Sequence, residues 1–97
     1  MKINNLRHAY FHIGSFKVVL SALRAKISGF EGEVKFALYK DLLRLEDKLS
    51  AVSQKLHEAE DLLHEELIEQ IKEVNIDVER LTAQIEGRDQ NRDFVGA

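Results

Sequence analysis

LHEAEDLLHEELIEQI, residues 56 to 71, is the stretch on which the fold turns. Leu56, Ala59 and Leu63 follow one another at spacings of 3 and 4, and then Leu67 and Ile71 each arrive at a spacing of 4. Such a phase slip has two physical outcomes. One long helix can unwind its apolar seam locally, as a stutter does. Alternatively the chain can turn near His64 and begin a new helix. A turn there would have to be built from His-Glu-Glu, without glycine or proline, so continuity is the expectation and a break is the rival.

The surrounding sequence is helical throughout. Its 97 residues contain no proline and five glycines, too little punctuation for strands joined by turns. Leu6, Ala9, Ile13, Phe16, Leu20, Leu23, Ile27 and Phe30 alternate at spacings of 3 and 4, the pattern of a coiled-coil or bundle seam. Asn4 or Asn5 can cap this helix, and Gly14 falls off its seam as a tolerated glycine. SGFEGE, residues 28 to 33, reads as a helix–helix connection with Gly29 in a left-handed C-cap and Phe30 folded back onto the core. From Leu38 through Leu42, Leu45, Leu49, Val52 and Leu56 the seam resumes, and Val74, Val78, Leu81 and Ile85 carry it on after the slip.

The expected fold is therefore all-α. It is a helical hairpin with a short helix 1 (about 5–28), a turn (28–33) and a long helix 2 (about 33–86), packed like a coiled coil. One domain spans 1–86, and 87–97 form a mobile tail after Gly87. A continuous helix 2 is roughly 80 Å long, and helix 1 covers only about 36 Å of it. Leu56, Leu63, Leu67, Ile71, Val74, Val78, Leu81 and Ile85 are then left without cover, which calls for oligomerisation, with an antiparallel dimer preferred. The alternative is a three-helix bundle, in which the back half folds onto the front. Between Val34 and Leu45 the apolar residues spread wider than one seam, so this segment needs cover on a second side.

Charge follows the same division. Residues 1–48 carry nine basic and five acidic side chains, while residues 49–97 carry five and twelve, for a total of −3. Lys35, Lys40, Arg44 and Lys48 are expected opposite Glu66, Glu69, Glu73, Asp77 and Glu79, across a dimer or within a bundle. The same four bases form a candidate patch for nucleic acid, opposed by the acidic back half.

HEAEDLLH offers a candidate metal site. On a continuous helix His57, Asp61 and His64 share a stripe, a weak set of zinc or nickel ligands that is expected to be a solvated flank. His8 and His12 stand i, i+4 apart without the glutamate of a HExxH site. No phosphate loop, cysteine or nucleophile-and-base arrangement occurs, so neither catalysis nor a cofactor is expected. No run approaches a membrane span. The expected function is a non-enzymatic protein–protein interaction module, an adaptor, chaperone or inhibitor-like regulator. It is expected to act in the cytoplasm as a coiled-coil homo-oligomer with a second protein partner. The alternative is a small nucleic-acid-binding regulator using the basic front half.

Overall fold

The computed structural model describes residues 3–59 and 64–96, with side chains to Gly87. Within these limits the chain is all-helical. α1 (Leu6–Ile27), α2 (Gly32–Glu58) and α3 (Glu65–Gly96) pack against one another in a bundle whose long axis is 53 Å. The long helix expected over 33–86 is thus two helices, and the three-helix alternative is the fold.

Each helix is made for local reasons. Asn5 caps α1, its side chain accepting from the His8 amide at 2.9 Å. At the other end Arg24 and Lys26 suit the negative pole of the helix. The chain then turns through Ser28 and Gly29, and Phe30 is buried, folded back as its position between two glycines predicts. The left-handed residue is Gly32, at φ +68°, not Gly29. The chain reverses on entering α2, after Phe30 has been seated, so the steric freedom of glycine is needed three residues later than expected. Gly14 has open space where a Cβ would sit, which agrees with a tolerated surface glycine.

The break between α2 and α3 carries signals of its own. Lys55 and His57 occupy the last turn of α2, and Glu65 and Glu66 the first turn of α3. Each pair complements the helix pole it stands on. The Ile68 amide donates to the His64 carbonyl at 3.1 Å to open the new helix. Leu63, Asp61 and their neighbours over 60–63 lie outside the described residues. α3 also passes through Gly87 and remains helical to Gly96, so the interruption expected at that glycine is absent.

Burial explains why folding back prevails. Leu67, Ile71, Val74, Val78, Leu81 and Ile85 are all buried against the side chains of α1 and α2. At about 1.5–3 kcal/mol each, these six contribute on the order of 9–18 kcal/mol. Loop closure and the loss of about one helical turn cost a few kcal/mol against that gain. α1 contributes Ala9, Ile13, Phe16, Leu20, Leu23 and Ile27, and α2 contributes Leu38, Leu42, Leu45, Leu49, Val52 and Leu56. No charged or polar residue is buried among the described residues.

Gly32→Ala should lower stability by about 1–2 kcal/mol, the cost of a left-handed residue bearing a Cβ, and Gly29→Ala should cost less than half of that. Chemical denaturation of the two variants measures both. Equal losses would place the turn's strained residue elsewhere.

Candidate interaction surfaces

The residues expected at an oligomer interface are core residues of the single chain. Leu56, Leu67, Ile71, Val74, Val78, Leu81 and Ile85 are buried within the bundle, and Leu63 is outside the described residues. The apolar surface that motivated an antiparallel dimer is therefore covered from within.

The charge complementarity is likewise used inside the chain. Lys48 reaches across from α2 to α3 and donates to Glu73 and Asp77, both at 2.8 Å. The hydrogen bond to Asp77, followed by that to Glu73, raises the Lys48 pKa above the ordinary lysine value of 10.5. On the other side of α2, Glu46 accepts from Arg24 of α1. Of the four candidate patch residues Lys48 is thus neutralised, Lys35 is half-buried, and Lys40 and Arg44 are exposed. Arg44 lines a groove with Asp41, Asp77 and Arg80, a surface of mixed sign.

The histidine stripe is not assembled. His57 stands in the last turn of α2, where its Nδ1 lies 3.2 Å from the Tyr10 hydroxyl of α1 and the two rings are 5.4 Å apart. His64 is exposed ahead of α3, so the two histidines do not share a helix face, and Asp61 is outside the described residues. His12 packs beside the rings of Phe11 and Phe16. No group of three potential metal ligands occurs among the described residues.

What the bundle leaves outside is more informative. Phe36 and Leu43 are 77% and 52% exposed, two turns apart on the outward face of α2. These belong to the wide apolar segment at 34–45, whose second side stays open. Phe11 and Val18 are 69% and 71% exposed and repeat the same spacing on α1, and Ile76 is 48% exposed on α3. Val18 and Ile76 escape a reading of the seam because both stand off it. Projecting the off-seam positions on a helical wheel would have paired Phe11 with Val18.

Fold and surface together define a small three-helix bundle with an apolar core and surplus apolar residues outside it. No protein-family model, curated protein or solved structure matches the chain. No described helix is long and apolar enough to cross a membrane.

Lys48→Met should destabilise the bundle at neutral pH by about 0.5–1 kcal/mol, since the lysine is about a third exposed. A raised pKa means that the stabilisation is fully present below pH 10.5 and is lost as pH rises through the folded-state value. The gap between wild type and variant should therefore close in strongly alkaline denaturation curves and stay open near pH 9.

Proposed function

We propose that the chain is a protein-binding module without chemistry of its own, docking a partner on the outward face of α2. The exposure of Phe36 and Leu43 carries this reading. Neither side chain belongs to the buried core, which on α2 is made by Leu38, Leu42, Leu45, Leu49, Val52 and Leu56. Removal from water stabilises Phe36 by about 1.5–3 kcal/mol and half-exposed Leu43 by about half of that. Exposed Lys40 stands between them on the same helix face. A fitting partner therefore offers an apolar surface about 10 Å long, the rise over seven residues, with an acidic group near its middle. An adaptor, chaperone or inhibitor-like regulator would use such a face in this way. A cysteine-free chain suits a reducing cytoplasm.

Nucleic-acid binding through the front half is the weaker reading. Lys48 already has two carboxylate partners, and Arg44 shares its groove with Asp41 and Asp77. On this part of α2 a phosphate backbone meets carboxylates beside the bases.

The double variant Phe36→Ser/Leu43→Ser should fold with stability within about 1 kcal/mol of wild type, because both sites are exposed. From cell extract, wild type should retain a defined protein that the double variant loses. Identical retention by both would sink the α2 reading. Binding of random duplex DNA that falls 10-fold or more between about 50 and 200 mM salt would instead favour the nucleic-acid regulator.

A further inference from the structure

The outward face of α2 carries a row of its own. Phe36, Lys40, Leu43, Asp47 and Ser50 follow one another at spacings of 4, 3, 4 and 3, so they line up along one side of the helix. All five are exposed. Among the described residues neither Lys40 nor Asp47 makes an ion pair within the chain. Beside the Ser50 end runs a groove of about 580 Å³ between α1 and α2, floored by Leu20 and Leu49 and walled by Ser21, Ser50 and Ser53. α1 flanks only this half of the row. Its Arg24 pairs with Glu46 and its Tyr10 meets His57, so α1 ends, at Ile27, near the level of Leu43. Phe36 stands beyond that end.

We propose that this row binds a second copy of the chain, the two α2 helices lying antiparallel about a two-fold axis at Leu43. Read end for end, the row is Ser50, Asp47, Leu43, Lys40 and Phe36. Turning one copy about Leu43 therefore sets Leu43 on Leu43, Lys40 opposite Asp47 twice, and Phe36 opposite Ser50 twice. Phe36 of each copy enters the α1–α2 groove of the other, where the serines leave room for its ring above Leu20 and Leu49. Asp47 supplies the acid that exposed Lys40 calls for. A parallel pairing preserves height along the helix, so it brings Lys40 to Lys40 and Asp47 to Asp47. Charge selects the antiparallel form.

The surroundings of the row fit this register. Glu33 of one copy comes level with Ser53 and Gln54 of the other, where Lys17 lines the same groove and makes no ion pair among the described residues. Arg44 approaches its own copy across the axis, on the edge toward α3, where Asp41 and Asp77 line its groove and counter its charge. Because α1 stops near the level of the axis, the two α1 helices flank opposite ends of the contact and leave it clear. From Glu33 to Gln54 the contact is about 32 Å long and about 15 Å wide, burying on the order of 500 Å² per protomer, the size of a weak, reversible interface. The inference rests on the α2 reading and names the partner of that face.

Charge exchange tests both the interface and its register. Light scattering on wild type from about 1 µM to about 1 mM should show the mass rise from 11.1 kDa toward twice that value. Lys40→Glu and Asp47→Lys each set like charges opposite one another twice, and each alone should weaken association about 10-fold or more at wild-type helicity. An equimolar mixture of the two variants pairs opposite charges at both places and should associate as tightly as wild type. So should a chain carrying both substitutions. A constant wild-type mass overturns the proposal. Single variants that associate like wild type, or a mixture no tighter than its components, put the contact elsewhere and overturn it equally. The α2 reading fails separately. A wild type that stays at 11.1 kDa, yet retains from extract a protein that Phe36→Ser/Leu43→Ser loses, keeps the docking face and rejects only the second copy.

Discussion

Everything in this architecture depends on where the apolar seam of α3 finds cover. Six aliphatic side chains from Leu67 to Ile85 need a second surface, and α1 is too short to supply it along a straight rod. Two solutions bury the same atoms. A second chain can provide the cover at a cost of several kcal/mol in translational and rotational freedom. The chain's own front half can provide it once a turn is made after Glu58, for the smaller cost of closing a loop. The intramolecular solution requires no concentration of partner, and it is the one the chain adopts. Lys48 then finds Glu73 and Asp77 without leaving its own molecule.

This explains what was legible in the sequence and what was not. The bounds of α1, the connection at 28–33 and nearly every core residue follow from the alternation of 3 and 4, because that alternation records which side chains face inward. It does not record what they face. Leu56 and Leu67 occupy seam positions equally well in one helix or in two, so periodicity alone favoured continuity through the slip. Charges near the helix poles held the missing information. Lys55 and His57 before the break, and Glu65 and Glu66 after it, form an end and a beginning even with no glycine or proline between them. Gly87 misled in the opposite direction. One glycine costs a helix about 1 kcal/mol, too little to end α3.

The candidate sites divide along the same line. HEAEDLLH suggested a ligand stripe only while its helix was continuous, and ending α2 at Glu58 separates His57 from His64. The breadth of the apolar segment at 34–45 was readable in advance because several residues share it. Phe36 and Leu43 are what remains of that breadth after the core is filled. Val18 was readable only through its pairing with Phe11 seven residues earlier, and Ile76 was not, since an isolated off-seam residue looks the same in sequence whether a neighbouring helix covers it or not.

Folding back has a further consequence for the surface. In a rod, the basic front half and acidic back half lie end to end, and their attraction can be met only by another molecule. In the bundle α2 brings Arg24 to Glu46 on one side and Lys48 to Glu73 and Asp77 on the other, so the α1–α2 and α2–α3 seams are both bridged by ion pairs. Among the described residues no ion pair joins α1 to α3. Lys17 and Arg24 of α1 both line the α1–α2 groove beside Glu46, and Glu73 and Asp77 of α3 both meet Lys48, so much of the charge of the outer helices is turned toward α2. Stability comes chiefly from the core, and exposed ion pairs add tenths of a kcal/mol each. These pairs therefore add little to folding and act on arrangement, since they form only when α1 and α3 both flank α2.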